Sequence, residues 1–401
     1  MAQRRVVITG AGTINPLAQD VAGTFAAMRA GQCAIGPLDM RDADRLQVRI
    51  GAQVRGWDEA RFGRNLPLYD RITQFSLMAA AQAVAQASGG RPALDHDPAR
   101  IGVIFGTAGG GLSTVEDNYR AVFEAGKNRV HPLTVPRLMP SAPASNVAIQ
   151  HGAHGPVFAV SSACASANHA MGLALQMIRA GMADCVLTGG ADAMLTFGGI
   201  KAWEGLRVMS PDGCRPFCAS RNGMVMGEGA GVFVFEDRDA ARARGAQVLA
   251  EVAGVGMTSD ASDIVLPSAE GAARAMRLAL MDAGLQAGDI GYVNAHGTGT
   301  AANDRIEAAV IGAVLGANVP VSSTKSMHGH LIGGAGAVEL LACLMALQDG
   351  VIAPTVGVLS RDPGCDIHLV HGAALQTPVQ ACLSNAFAFG GLNAVLAVTK
   401  A

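Results

Sequence analysis

The chain has 401 residues, of which 50 % are apolar and 15 % charged, and its formal net charge is −2. This composition excludes a disordered or fibrous chain, and the near-neutral balance gives no global attraction to nucleic acid or to a membrane surface. The length holds two domains or one large one with an ample core, and any acidic partner must be met by a local basic patch.

From the start, Arg4-Arg5 leads straight into the apolar run Val6-Val7-Ile8, with no apolar leader of adequate length and no cleavage site. The expected location is therefore the cytoplasm. The thiols at Cys33, Cys164, Cys185, Cys214, Cys218, Cys343, Cys365 and Cys382 build no disulfide framework and suit a reducing compartment. Cys214 and Cys218 lack the second pair that a zinc ribbon needs. β-Branched runs then alternate with alanine-rich ones. Strands are expected at Arg5 to Thr9, Ile101 to Phe105, Val157 to Val160, Cys185 to Leu187, Val232 to Phe235, Val248 to Val252, Tyr292 to Asn294, Val319 to Ser322 and Ala394 to Val398. Helices are expected at Gln74 to Ala87, Ala165 to Ala180, Gly271 to Ala283 and Asn303 to Val314. The alternation argues an α/β fold with helices packed on sheets. Ile332 to Leu347, the longest apolar stretch, contains Glu339 and begins glycine-rich, so it reads as a buried helix and not a membrane span. Gly10-Ala11-Gly12 follows a strand but lacks the third glycine of a dinucleotide fingerprint, and no phosphate-loop sequence occurs.

A weak internal repeat organises these elements. Val6 to Gly12 resembles Glu251 to Gly256, Ile101 to Ile104 resembles Ile290 to Val293, and Val160-Ser161-Ser162-Ala163-Cys164 resembles Val321-Ser322-Ser323-Thr324-Lys325. Two similar halves, residues 1–245 and 246–401, are expected to join at the polar connector Arg238 to Gly245. Symmetry then sets Cys164 and Lys325 facing each other. Pro16 to Arg100 and Thr107 to Pro156 have no repeat partner, and insertions of this kind carry binding or oligomer contacts. The run Gly106 to Gly111 is open to two readings, a flexible turn or a close approach of backbone or ligand.

Cys164 lies between a strand and a helix, where unpaired backbone N–H groups and the helix dipole favour a thiolate and lower its pKa. Small Ser and Ala neighbours leave room for a substrate; the alternative is an inert buried thiol. Asn294-Ala295-His296-Gly297-Thr298-Gly299-Thr300 puts a histidine and two threonines at a strand end, either for a polar ligand arm or as a locally satisfied turn. Asp304 and Glu307 open the next helix, a structural placement. Lys325, His328 and His330 precede the apolar helix; with one His-x-His pair and no nearby carboxylate in sequence, no metal site is expected. An unpaired ammonium there is costly, and pairing with Glu339 relieves both charges, with Glu307 or Asp304 as other partners. Phe387-Ala388-Phe389-Gly390-Gly391 reads as a gate beside a ligand or as a turn with two core aromatics. One cysteine, two histidines and a lysine suit acyl transfer to a thiol followed by carbanion formation, with backbone N–H groups at Cys164 and near Phe389 as an oxyanion hole.

Ser162-Ala163-Cys164-Ala165-Ser166, Gly227-Glu228-Gly229-Ala230-Gly231, Asn294 to Thr298, Ser323 to Ser326 with Gly329-His330, and Phe387 to Gly391 occur in the order found in elongating type II β-ketoacyl-acyl-carrier-protein synthases, which the whole chain resembles. Ala165 to Ala170 and Lys201-Ala202-Trp203-Glu204 are similar to the nodulation-type or another specialised branch. The resemblance implies a thiolase fold with duplicated α/β halves in five layers, α/β/α/β/α. It implies β-ketoacyl synthase activity, a decarboxylative Claisen condensation on Cys164 for fatty acid or polyketide-type chains. No cofactor is expected beyond the phosphopantetheine arm of acyl carrier protein. A homodimer is expected, a heterodimer with a related subunit being the alternative. Cys164 matches the nucleophile, His296 and His330 the catalytic histidines and Lys325 the supporting lysine. Glu339 and Glu307 match acids of the site, Phe389 with Phe387 the gate, and Thr298 and Thr300 the pantetheine contacts. His328 stands where relatives carry threonine. Leu392 and Ala388 depart from threonine and glycine around the gate. Gly109 stands where relatives often carry a bulky residue at the end of the acyl pocket, which implies a deeper or wider pocket. Arg61, Arg64, Lys127, Arg129 and Arg207 are the candidate rim for the acidic carrier protein. A thiolase would want a second cysteine in the C-terminal glycine motif, and Cys382 lies outside it; a non-catalytic chain-length subunit would lack Cys164.

Overall fold

The computed structural model describes residues 4–91 and 93–401. Ten strands carry the architecture. The first half supplies β1 (Val6–Ile14), β2 (Ile101–Gly106), β3 (Val157–Val160), β4 (Cys185–Asp192) and β5 (Gly229–Asp237). The second supplies β6 (Ala250–Ser259), β7 (Tyr292–Asn294), β8 (Pro320–Ser322), β9 (Ala381–Ala388) and β10 (Leu392–Thr399). With a short edge segment, His368–Leu369, beside β8, they form one 11-stranded sheet in the order β8-β7-β9-β10-β6-β1-β5-β4-β2-β3.

The order reads alike from the centre outward. β1 pairs antiparallel with β5, β5 antiparallel with β4, β4 parallel with β2 and β2 parallel with β3. On the other side β6 pairs antiparallel with β10, β10 antiparallel with β9, β9 parallel with β7 and β7 parallel with β8. All three sequence matches of the repeat fall on equivalent strands. A short seam, Val6↔Val252, Val7↔Glu251 and Ile8↔Ala250, stitches the half-sheets together, and Arg5 pairs with Glu251 beside it.

Helices and half-sheets alternate in five layers. α1 (Arg71–Ala87) covers the outer face of the first half-sheet, and α3 (Ala269–Ala283) with α4 (Ala301–Leu315) covers that of the second. Between the half-sheets lie α2 (Ser166–Arg179) and α5 (Ala335–Asp349). Their apolar faces, Ala170, Met171, Ala174 and Leu175 against Leu340, Leu341, Leu344 and Leu347, share one core with Ile8, Ile104, Phe233, Tyr292 and Leu396. This explains the length of the apolar stretch. Ile332–Asp349 is apolar enough to cross a membrane by composition, yet it is buried between sheet layers from both halves.

Glycines in the repeat serve this packing. A side chain at Gly10 would meet the Ala83 carbonyl of α1 at 2.0 Å, and one at Gly256 would meet the Ala275 carbonyl of α3 at 1.9 Å. The first glycine run is thus a helix seat, not a nucleotide loop. Gly106 plays the same part inside: a Cβ there would stand 2.3 Å from the Ser166 carbonyl carbon of α2. The run Gly106 to Gly111 therefore marks a close backbone approach.

Several elements extend beyond the sequence expectation. β9 was legible only as a glycine-flanked aromatic run, because its polar Ser384 and Asn385 interrupt the apolar pattern; both are buried. β3 lies at an edge of the sheet. Beside it, the excursion 107–156 exposes Tyr119, Phe123, Val130, Val135 and Ile149, and Phe158 of β3 itself is exposed.

Candidate active site

Both central helices begin beside a strand-end turn, and these turns hold the chemistry. After β3 the chain passes through Ala163 at φ +48°, a left-handed conformation that costs a side-chain-bearing residue free energy. The Ser166 hydroxyl locks the turn. It accepts from the Ser162 N–H at 2.9 Å and donates to the Ala163 carbonyl at 2.7 Å. Cys164 stands at the start of α2, whose first turn has no side-chain cap. The expected depression of its pKa is not what the surroundings produce. Burial pushes the thiol up to about 12, with the Lys325 charge opposing and Asp192 adding to the rise. The helix terminus is present, but removal of water outweighs it, so the resting group is a thiol.

The equivalent turn after β8 carries Lys325, which forms an ion pair with Glu339; both side chains are fully buried. Of the three partners open in the sequence, Glu339 is the one used. His328 donates through Nδ1 to the Gly329 carbonyl at 2.8 Å and accepts at Nε2 from the Thr324 hydroxyl at 2.9 Å. Burial and the nearby Lys325 push its pKa down to about 3, so it is a neutral structural group.

His330 differs. Its Nδ1 accepts from the Ile332 N–H at 3.1 Å, which leaves the neutral ring's proton on Nε2, a buried atom with no partner. His296 follows β7, and Glu307 fixes it through the backbone. The His296 and Gly297 N–H groups each donate to Glu307 at 2.7 Å, and Asn385 adds a third bond at 3.1 Å. Burial nonetheless pushes the Glu307 carboxyl up to about 7. The two catalytic-motif rings stand edge to face, 5.4 Å between centroids. Burial, aided by Lys325, holds both well below the usual histidine range, so both are neutral donors at pH 7. One donor atom from each of Cys164, His296 and His330 lies within 4.8 Å of the other two.

These groups open into a cavity of about 190 Å³. Its walls include Trp203, Met224, Thr298 and Thr300, with Phe387, Ala388 and Phe389 on the gate side. The Thr298 and Thr300 hydroxyls bond each other at 2.9 Å. Phe387 meets the His296 ring edge to face at 6.3 Å, and Phe389 stacks on Trp203 at 5.9 Å. The turn Phe389-Gly390-Gly391 is tied to the loop after β6: the Gly390 N–H donates to the Ile264 carbonyl and the Asp260 N–H to the Gly391 carbonyl, both at 2.8 Å. Val265, Leu266 and Pro267 of that loop line the mouth. Phe387-Ala388 thus ends a strand with Phe387 buried, and Phe389-Gly390-Gly391 turns beside the cavity with Phe389 partly exposed.

Gly109 is not among the residues that line this cavity. Its N–H donates to Asp192 at 3.0 Å, and the Met194 side chain fills the space a Cβ would take, with Cγ and Sδ 2.9 Å from that point. Of the basic candidates, Arg207 directly precedes the lining residue Val208; Arg61, Arg64, Lys127 and Arg129 are exposed and none lines the cavity. Asp192 was missed in the sequence. It gathers the Thr107 hydroxyl and the N–H groups of Ala108, Gly109 and Gly333 at 2.7–3.0 Å, tying the two halves together beneath Cys164. A lone acid ending an apolar strand after Gly189-Gly190 was the available signal. Asn385 and Trp203 were not separable from ordinary core residues.

The layered fold and this site define a class. A β-ketoacyl synthase N-terminal domain matches residues 3–241 and the corresponding C-terminal domain residues 249–359; the chain belongs to the β-ketoacyl synthase family of acyltransferases. Among its relatives is nodulation protein E of Rhizobium sp. (strain N33), 46 % identical over 98 % of both chains. Another is 3-oxoacyl-[acyl-carrier-protein] synthase 2 of Staphylococcus aureus (strain N315), 36 % identical over 99 % of this chain and 98 % of that one. The solved structure of the ishigamide ketosynthase/chain length factor is similar over the full length of both chains, at 33 % identity and a TM-score of 0.95.

Proposed function

We propose that Cys164 carries the growing acyl chain and that His296 and His330 drive its decarboxylative condensation with a malonyl unit on acyl carrier protein. The observation that carries this reading is the meeting of one thiol and two neutral imidazoles on the wall of one cavity. In the first step the Cys164 sulfur bonds to the acyl carbonyl carbon, and the pantetheine thiol leaves with the proton. Backbone N–H groups at Cys164 and Phe389 hold the oxyanion. In the second step malonyl loses carbon dioxide, and the electron pair left on carbon is held as an enolate by hydrogen bonds from His296 and His330. That carbon attacks the acyl thioester carbonyl, the C–S bond breaks, and Cys164 leaves as a thiolate that takes a proton from solvent. Neutral donors are the form this step needs, since a charged ring would hold malonyl's own carboxylate and slow its loss.

Lys325 keeps the histidines neutral, and Glu307 positions His296. Thr298 and Thr300 serve the pantetheine arm, Phe387 and Phe389 the gate. Residues 1–245 and 246–401 are proposed as the two halves of this unit, acting in the cytoplasm as a homodimer through β3 and the exposed apolar residues beside it. The intact nucleophile favours an enzyme over a non-catalytic subunit. Carrier protein is acidic, so Arg207 at the mouth, with the more distant Arg61, Arg64, Lys127 and Arg129, supplies steering that weakens with salt.

Intact-mass analysis with acylated carrier protein tests the proposal. The acyl adduct should sit on Cys164 and vanish in Cys164→Ala, while His296→Ala should still acylate but lose malonyl decarboxylation by about 10²-fold or more. A wild-type protein that no primer acylates would sink the reading.

A further inference from the structure

A neutral histidine donates from one nitrogen only, and the fold around His330 holds a device that selects which. We propose that Asp192 is a positioning residue for His330: through the Ile332-Gly333 turn it keeps the Ile332 N–H on His330 Nδ1, and so keeps the ring proton on Nε2, the nitrogen free to serve the enolate. This assignment rests on the proposed role of His330 as an enolate donor.

The hydrogen bond made by one imidazole nitrogen decides where the proton of the neutral ring sits. At His330 the deciding bond comes from the Ile332 N–H, at 3.1 Å. Ile332 makes it from a left-handed conformation, φ +49°. For a β-branched residue that is an outlier which persists only where the surroundings hold it. The Ile332 side chain is buried beside Cys164, Met209 and Met226, and the following peptide is tied directly. The Gly333 N–H donates to Asp192 at 2.7 Å. A Cβ at Gly333 would stand 2.5 Å from the Ala108 nitrogen and 2.6 Å from the same Asp192 oxygen, so the contact needs glycine.

Asp192 is itself fixed by the first half. The Thr107 hydroxyl and the Gly109 N–H donate to one of its oxygens, and the Ala108 N–H shares the other with Gly333. The residue ends β4 and is fully buried. A carboxylate of one half therefore sets a turn of the other. His296 is held on the same plan, since Glu307 accepts from the His296 and Gly297 N–H groups. Each of the two rings is served through the backbone by a buried acid.

Long-range proton–nitrogen correlation spectra of the full chain, with isotope-labelled histidine, read the tautomer directly, and His330→Gln gives the assignment. Wild type should show His330 in the Nε2–H form. Asp192→Ala should give a mixture of both tautomers, with the His328 signals unmoved. Gly333→Ala breaks the same contact from the other side with the carboxylate in place, and should do the same. Asp192→Asn should keep the wild-type form: its amide N–H₂ can turn to the Thr107 hydroxyl, which is able to accept, and leave the amide oxygen for Gly333. Malonyl decarboxylation should fall about 10-fold or more in the two alanine variants, while Cys164 is still acylated, as read by intact mass. A wild-type His330 with its proton on Nδ1, or an Nε2–H form that persists in either folded alanine variant, overturns the proposal; if Asp192→Ala does not fold, Gly333→Ala decides. The tautomer is read without turnover, so a chain that no primer acylates sinks the synthase reading and leaves this measurement intact.

Discussion

Lys325 forms its ion pair with Glu339 beneath two imidazoles, and this pairing decides how the site responds to pH. A cation beside a histidine disfavours the imidazolium, so removing it raises the ring pKa. Lys325→Met should therefore move the acid limb of malonyl decarboxylation to higher pH. It should also cost about 3–5 kcal/mol in urea unfolding, because Glu339 is left buried and alone, and Lys325→Met/Glu339→Leu should recover much of that loss. Glu307 acts differently, through the backbone. Gln in its place keeps one acceptor oxygen and points an amide N–H₂ toward the second donor. Glu307→Gln should lower decarboxylation sharply while Cys164 still acylates, as read by intact mass. Because burial holds Glu307 near 7, above an unfolded carboxyl, the wild-type chain binds this proton more tightly when folded. That contribution to stability is complete below about pH 4 and is lost as pH rises through 7; the substitution should flatten this part of a stability profile. At this scale the sequence was most readable where a motif carries its own chemistry, as at Cys164, His296 and His330. It misled on the Cys164 pKa, because a helix start is visible in sequence and the depth of burial around it is not.

The elements that shape the cavity come from separate parts of the chain. Trp203, on the helix Phe197–Gly205, stacks on Phe389, and the gate turn is hydrogen-bonded to the loop after β6. A stacked pair of this kind contributes about 0.5–1.5 kcal/mol beyond its buried area. Trp203→Ala should leave the gate open more often, seen as faster hydrolysis of the acyl enzyme in the absence of malonyl substrate. Away from the cavity lining, Met194 packs over Gly109 beside the turn held by Asp192. Gly109→Ile should compete with Met194 for the same space and lower stability in urea unfolding, and adding Met194→Ala should recover part of that loss. Helices such as α1 and α2 were legible from alanine-rich runs and strands from β-branched ones. The partnership of Met194 with Gly109 was not, because each looks ordinary in its own stretch.

Over the whole molecule, two half-sheets of matching strand order enclose a shared helical layer. The repeat was detectable because close strand–helix packing demands glycine at Gly10 and again at Gly256. The insertions of the first half left no such trace, so their surface role rests on exposure. Phe158→Glu, on the open edge strand β3, should shift the molecule toward monomer in sedimentation if that edge is the dimer contact; an unchanged mass would place the contact elsewhere.

The seam has one more consequence. β1 and β10 flank the same strand, β6, with Val6 opposite Val252 and Thr399 opposite Glu251. The beginning of β1 and the end of β10 therefore emerge at one level, two strand spacings or about 10 Å apart. A short flexible linker spans that gap, and the connector before β6 is a polar break between the halves. A circular permutant that starts at β6, runs through the second half and re-enters at β1 keeps every strand neighbour unchanged. It should fold and acylate Cys164 with the two halves in reverse order, and failure to do so would show that the division at residues 245 and 246 is not a structural one.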